Sequence, residues 1–507
     1  MSLRLKKGLL LLLAAGLLTG VSQVQRSMNK ERERLGITRV EPLKNAPPVL
    51  AFTTVALGGF RGLISNALWI RATDLQDEDK FFEMVQLADW ITKLEPHYPQ
   101  VWLVQAWNMA YNISVKFKSW PDRWRWVKRG FELLRDEGLL YNPDDTLIYR
   151  ELGWIFQHKM GQNLDDAHMY YKEHWAEEMQ EVLGKKLNLE DFINPRTADQ
   201  TNRANILKEK YKLDPAFMKE VDKEYGPLEW RAGEAHAVYW GAKGLKAAKD
   251  HPDKVKEEDL IQLWRLIYQS MQANVFHGKL VDNRFITNFE FGPNLDIVGK
   301  VSFAYEHAAA QDKKNTDHIL RAHRNFLRDA VYLLYENNRL KDSEHWYKYL
   351  ADKYPDKPIL DKRPDLRPKD LTYDQYAIEK VKEDAGELSP DRVRSLIMGM
   401  IANSYIWLIK KDDDDSESVG YMLLARKTWE SFNAAIPQSR AEPLKLADKF
   451  EDLVRVVRED LLRVDEPRLP PEARAVLRSK LGLPAEKKHE EAKAEPGGPS
   501  EQPPGKP

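Results

Sequence analysis

The chain has 507 residues, of which 31% are charged, and its formal net charge is −1. No overall basic field therefore favours a nucleic-acid partner, and we expect none. The absence of cysteine excludes disulfide bonds, thiolate metal ligands, cysteine nucleophiles and a lipid-modified terminal cysteine.

Residues 1–24 are predicted to be a signal peptide or a signal-anchor helix. Three basic residues precede an uncharged apolar run at 8–21. The run is shorter than the roughly 20 residues of a full membrane span, but it is typical of the apolar core of a signal peptide. An uncleaved anchor would contact the membrane through residues 6–24 and leave the bulk of the chain outside the cytoplasm. Cleavage would instead release the chain as a secreted protein.

Residues 25–48 are predicted to be a juxtamembrane linker, because they are charged and then interrupted by prolines. The next apolar stretch, 49–72, is interrupted by Gly58, Gly59 and Arg61. We expect it to form a helix that packs on the first repeat. The alternatives are a second membrane span and a helix that docks a multi-spanning membrane enzyme.

Two prolines in the segment 49–184 are followed by the same pattern. Because the residue before a proline is pushed out of the α region, each proline marks the end of a helix. An aromatic, a small and a second large apolar residue then follow at offsets of 6, 10 and 13. The small residue allows two helices to approach, and the large residues fill the space beside it. The residues are Trp102, Ala106 and Met109 after Pro96, and Tyr149, Gly153 and Phe156 after Pro143.

This pattern resembles the tetratricopeptide repeat (TPR), in which helical hairpins stack side by side. The resemblance implies an all-α fold, a degenerate TPR-like α-solenoid of stacked helical hairpins, with repeats over 49–184 and 301–464. Two later stretches resemble the second helix of the repeat: Ser343, Tyr347 and Leu350 before Pro355, and Ala425, Trp429 and Phe432 before Pro437.

The whole chain also resembles a group of bacterial membrane-anchored proteins of this repeat type. That resemblance implies a location at the bacterial inner membrane, with a single N-terminal anchor and the bulk of the chain on the periplasmic side. It implies no particular activity. Gln105 and Arg135 depart from the repeat pattern, which has a large apolar residue and an aromatic residue at these positions.

Residues 185–300 are predicted to be a helical insertion between the two sets of repeats. Within it, 229–249 and 252–276 have the periodicity of helices, whereas 283–297 alternates like a strand and indicates a small hairpin or an irregular loop. The tail 465–507 is rich in proline, glutamate and lysine, and it is predicted to be disordered. Further helices are predicted at 373–385, 390–411, 418–435 and 441–464.

The segment 113–130 interleaves six basic residues with three tryptophans. This composition suits a membrane surface, an anionic glycan or a nucleic acid. We favour instead a loop and helix start between repeats. Pro121 would then lie in the first helical turn, Trp124 would be buried and the arginines would be solvated.

No residue spacing typical of a catalytic or metal site occurs in the sequence. The two histidine pairs five and six residues apart do not have the spacing of a zinc-binding helix. The acidic run with histidine at 165–168 is interpreted as the polar start of a helix, and His236 is expected to be buried and hydrogen-bonded. We therefore expect no cofactor, no metal and no catalysis. Glycoside chemistry needs only two acids brought together in space, so a glycan-acting α/α-toroid is the alternative.

The register of the repeat implies which residues line its concave groove, where this family binds its partners. The aromatic and amide side chains at these positions, with one arginine, suit an extended peptide or a sugar chain. Alternatively, Trp107 and Trp154 belong to the core. The candidate partner-binding residues are Trp107, Asn108, Tyr111, Asn112, Arg150, Trp154, Gln157 and His158.

We therefore expect a non-catalytic, membrane-tethered scaffold or adaptor that binds a protein partner on the concave face of its repeats. The alternative is a glycan-binding or glycan-acting α/α-toroid protein of the cell envelope.

Overall fold

The structure is a computed structural model, and its fold confirms the all-α prediction. It describes residues 3–34, 61–281, 290–337, 339–385, 390–410, 415–435, 449–463 and 469–485.

Helices make up most of the described residues in the first half of the chain. They are α1 (Leu3–Arg34), α2 (Arg61–Asp77), α3 (Phe81–Leu94), α4 (Pro99–Trp107), α5 (Trp120–Glu132), α6 (Thr146–Trp154), α7 (His168–Leu183), α8 (Glu190–Ile193), α9 (Ala198–Glu209), α10 (Pro215–Tyr225), α11 (Gly233–Asp250) and α12 (Glu257–His277).

The second half adds a short antiparallel pair of strands and more helices. These elements are β1 (Lys279–Val281), β2 (Glu290–Gly292), α13 (Val298–Gln311), α14 (Thr316–Glu336), α15 (Leu340–Lys353), α16 (Tyr373–Ala385), α17 (Pro390–Lys410), α18 (Ser416–Ala435), α19 (Phe450–Leu461) and α20 (Pro471–Lys480).

The chain divides into two compact units. Unit 1 comprises Met1–Asn274 with Ala310–Asp312, and unit 2 comprises Val275–Ala309 with Lys313–Pro507.

The N-terminal helix α1 continues to Arg34, so the first ten residues of the predicted linker 25–48 are helical. Leucines of the apolar run, such as Leu12 and Leu18, are exposed. Within the described residues, no helix combines the length and the apolarity needed to cross a membrane. The predicted apolar helix at 49–72 is described only from residue 61, where α2 begins.

The two proline-led segments share one local hydrogen bond. The indole nitrogen of Trp102 donates to the carbonyl oxygen of Pro96 at 2.8 Å, and the hydroxyl of Tyr149 donates to the carbonyl oxygen of Pro143 at 2.9 Å. In both cases the aromatic residue donates to a carbonyl in the turn that leads into its own helix. The offset of six residues therefore has a direct structural cause.

Small residues allow close helix packing in unit 1. A Cβ atom at Gly153 would lie 2.5 Å from Cδ2 of Leu266 and 3.2 Å from the carbonyl oxygen of Ala237. A Cβ atom at Gly130 would lie 2.9 Å from the carbonyl oxygen of Ala106. Gly153 was expected at such an approach, but its neighbours come from α11 and α12. Helices of the predicted insertion therefore pack directly on the N-terminal helices.

Unit 2 buries four of the six residues quoted for the repeat pattern, whereas Trp429 and Phe432 are half-buried. Ser343, Tyr347 and Leu350 are all buried, and the Ser343 hydroxyl donates to the carbonyl oxygen of Val331 at 2.9 Å. Ala425 is fully buried in the core of α17, α18 and α19.

The prediction of a disordered tail is wrong for its first part. Helix α20 begins with Pro471 in its first turn and buries Ala473 and Leu477 in the same core. Proline is well tolerated at this position, because its missing N–H would have no partner in the first turn of a helix. Residues 486–507 lie outside the described residues.

The strand-like stretch 283–297 contains β2, which pairs with β1. The partner strand, Lys279–Val281, lies before the predicted stretch, and the connection at 282–289 lies outside the described residues.

Candidate functional site

Three helices of unit 1 end in π-helical segments. They are Asn108–Ile113 after α4, Leu133–Gly138 after α5 and Ile155–Gly161 after α6. A π-helical turn holds an extra residue, changes the direction of the side chains that follow it, and occurs frequently at functional sites. The first and third segments carry five of the eight candidate residues.

Four candidate side chains form one aromatic cluster. Trp107 stacks on Tyr111 with ring centroids 4.1 Å apart, and Trp154 stacks on His158 at 4.6 Å. The Tyr111 hydroxyl lies 3.2 Å from Nδ1 of His158 and joins the two stacks. We call Trp107, Tyr111, Trp154 and His158 the aromatic cluster.

The aromatic cluster lies at the surface rather than in the core. Trp107 is 41% exposed, and the other three side chains are half-buried. The alternative that places Trp107 in the core is therefore wrong. An exposed, pre-stacked tryptophan offers a rigid apolar surface at a low cost in conformational entropy.

The amide residues divide into buried and accessible members. Asn108 is buried, and its Oδ1 accepts a hydrogen bond from Nδ2 of the half-buried Asn112 at 2.6 Å. Gln157 is also buried, and its Nε2 donates to Oε1 of Gln269 at 3.5 Å. Asn108 and Gln157 therefore support the helices beneath the cluster, whereas Asn112 remains partly open to a ligand.

Arg150 forms an ion pair with its neighbour Glu151, with Nη2 and Oε2 3.0 Å apart. Glu151 is buried, and burial raises the pKa of its carboxyl group against the opposing effect of Arg150. In the described part of the chain, Arg150 Nε and Glu151 Oε1 are buried without a hydrogen-bond partner. Such atoms are uncommon in folded proteins.

Burial keeps Tyr111 and His158 uncharged at neutral pH. Burial and the nearby Glu151 carboxylate raise the pKa of Tyr111 well above its usual value. Burial and the charge of Lys159 lower the pKa of His158. Tyr111 and the neutral imidazole of His158 therefore share a hydrogen bond whose donor depends on the tautomer of the imidazole.

A buried ionic network lies beside the aromatic cluster. Lys159 Nζ lies 2.5 Å from Asp165 Oδ2, and Arg123 Nη1 lies 3.1 Å from Asp165 Oδ1. The backbone N–H of Ala167 and the hydroxyl of Tyr171 also donate to Asp165, at 2.9 and 3.2 Å.

Sequence reasoning missed this network. The run 165–168 is interpreted from the sequence as the polar start of a helix, and that interpretation does not include the burial of Asp165. One feature of the sequence could have indicated the network. Lys159, one of its basic residues, directly follows the candidate site residue His158.

The basic, tryptophan-rich segment 113–130 is held by acidic residues. Trp124 is buried and Pro121 lies in the first turn of α5, as expected. Lys128 pairs with Glu178 at 2.6 Å. The expectation that the arginines are solvated is wrong for Arg123, which is half-buried and pairs with Asp165 and Asp166. This pairing reduces the positive charge available to a polyanion.

Unit 2 contains a serine–histidine pair with the spacing of a nucleophile and its base. Ser302 Oγ lies 2.9 Å from Nε2 of His323, and the hydroxyl of Tyr354 lies 2.9 Å from Nδ1. Ser302 and His323 are both buried, however, so a substrate cannot reach the hydroxyl. We interpret this group as a structural network.

His236 is buried in unit 1, as expected. Its Nε2 lies 2.9 Å from the carbonyl oxygen of Trp230, and its ring contacts Phe156 and Trp175. Across the described ranges, no group of three or more potential metal ligands comes together.

Comparison of the chain with family models, with curated proteins and with solved structures finds no significant match.

Proposed function

We propose that the chain is a non-catalytic scaffold of TPR-like helical hairpins that holds a protein partner at the aromatic cluster. The observation that carries the proposal is the contact between two helical segments of unit 1. There, Trp107 and Tyr111 of one segment meet Trp154 and His158 of the next through a hydrogen bond of 3.2 Å. Exposed aromatic side chains are enriched among residues that dominate the energy of protein interfaces.

The repeat assignment is supported by the hydrogen bond that each proline carbonyl receives from an aromatic side chain six residues later. Two equivalent hydrogen bonds at equivalent positions are what stacked copies of one hairpin would produce. The apolar, basic-flanked start of the chain supports tethering to the bacterial inner membrane through residues 6–24.

Trp107→Ala is expected to weaken capture of the protein partner by about 30-fold. This corresponds to the loss of about 2 kcal/mol that is typical of an interface tryptophan. Tagged full-length chains, wild type and variant, are crosslinked in the cells that make them and then purified. The measurement compares the amount of each co-purified protein. Trp154→Ala should reduce the amounts of the same co-purified proteins.

Trp120→Ala is the matched control, because Trp120 is 50% exposed but lies outside the aromatic cluster. Thermal unfolding of each variant checks that the fold is kept. If capture by the Trp107→Ala and Trp120→Ala variants is equal, the aromatic cluster is not the binding surface.

A further inference from the structure

A cavity of about 450 Å³ opens beside the aromatic cluster in unit 1. Its volume lies within the range of about 300–1,000 Å³ that is usual for ligand pockets. Tyr111 and His158 belong both to the cluster and to the cavity wall. A partner that lies on the cluster would therefore pass over the opening of the cavity.

The cavity has exposed aliphatic side chains in its wall. Val115 and Leu164 both line it, and Leu164 is 69% exposed. Because exposed aliphatic groups gain free energy when they are covered, they favour an occupant with an apolar body.

The charges in the cavity wall cancel. Lys159 and Arg123 supply two positive charges, and Asp165 and Asp166 supply two negative charges. A carboxylate in the cavity would compete with the two aspartates for their cations, and an ammonium group would compete with the cations for the aspartates. Either charged group would leave a buried charge with a weaker partner, which is unfavourable. An uncharged occupant is therefore favoured.

The remaining hydrogen-bonding groups include both donors and an acceptor. Within the described residues, Nε2 of His158 and Nη2 of Arg123 make no hydrogen bond. Nη2 is available as a donor, and Nε2 donates or accepts according to the tautomer of the ring. Asp165 already accepts from four donors. The Asp166 side chain is 72% exposed and keeps acceptor capacity beyond its contact with Arg123. A hydroxyl group can accept from the donors and donate to Asp166 at once, whereas an indole N–H can only donate.

We infer that the cavity binds a tyrosine side chain of the protein partner. The phenyl ring covers Val115 and Leu164, and the hydroxyl bonds to the group formed by His158, Arg123 and Asp166. This inference rests on the proposed function, because it assigns the anchor residue of the partner that the aromatic cluster holds.

The test uses N-acetyl-tyrosinamide as the probe and N-acetyl-phenylalaninamide as its matched analogue. Binding to the full chain is followed by saturation-transfer NMR. Two hydrogen bonds at about 0.5–1.5 kcal/mol each predict that the tyrosine probe binds roughly tenfold more tightly. The glutamate and lysine analogues are expected to bind more weakly than the tyrosine probe.

Leu164→Asp should abolish binding of the tyrosine probe, and Leu140→Asp is the control. Leu140 is 71% exposed and lies outside the cavity wall, so the two substitutions have similar effects on folding. Equal affinity for the tyrosine and phenylalanine probes would overturn the inference, as would equal binding by the two variants. If Trp107→Ala still reduces partner capture in that case, the aromatic cluster binds a partner and only the tyrosine assignment fails. If Trp107→Ala also leaves partner capture unchanged, the proposed function is rejected as well.

Discussion

Asp165→Asn is expected to destabilise unit 1 by about 3–5 kcal/mol, the usual cost of removing one member of a buried ion pair. The side chains of Asp165 and Lys159 are 6% and 5% exposed. Burial disfavours the ionised form of Asp165, but the hydrogen bonds from Lys159 and from the Ala167 amide outweigh it and hold the pKa of the carboxyl group below its usual range. The folded chain therefore contains an ionised Asp165, and asparagine would leave Lys159 buried without its counter-charge.

Asp166→Asn provides the matched control, since it makes the same chemical change at the next residue. The Asp166 side chain is 72% exposed, and its ion pair with Arg123 is therefore screened by water. We expect a change within about 0.5 kcal/mol. The free energy of unfolding in urea gives both values at pH 7. Equal losses for the two variants would show that Asp165 is not the buried centre of this network.

Acidification from pH 6.5 to pH 4 is expected to remove about 3 kcal/mol of stability for each of two buried histidines. Burial lowers the pKa of His236 to about 4 and that of His323 to about 4, against 6.5 for a free imidazole. Below pH 6.5 the unfolded chain binds a proton at each site, whereas the folded chain does not until about pH 4. The stabilising effect is therefore complete above pH 6.5 and is lost as the pH falls towards 4.

Glutamine variants of the two histidines separate this effect from the carboxylates that titrate over the same range. The free energy of unfolding, measured against pH, should lose part of its slope in His236→Gln and a further part when His323→Gln is added. If each single variant keeps the full wild-type slope between pH 6.5 and 4, the two imidazoles are not the groups that titrate.

The local part of the fold could be predicted from the sequence, because proline, apolar periodicity and small residues act over a few positions. The helix predicted at 373–385 is observed as Tyr373–Ala385. The offset from Pro96 to Trp102 corresponds to a hydrogen bond between them. The same register predicted Trp107 and Trp154 as candidate residues. In the structure, the residues that stack on them, Tyr111 and His158, form a hydrogen bond with each other.

Features that depend on distant partners could not be predicted in this way. The packing of α11 and α12 against Gly153 joins residues that are far apart in the sequence. The burial of Asp165 depends on Arg123, which lies 42 residues earlier. The π-helical segments were also not predicted from the sequence.

The most direct measurement of the central claim is site-specific photo-crosslinking from the aromatic cluster. A photoreactive benzoylphenylalanine replaces Trp107 in the full chain, in the cells that make it, and a second sample carries the same group at Trp120. We predict a discrete protein adduct from position 107 that is absent from position 120 and weakened when Trp154→Ala is added. Adducts of equal yield from both positions, or an adduct from position 120 alone, would contradict the proposal that this cluster holds a protein partner.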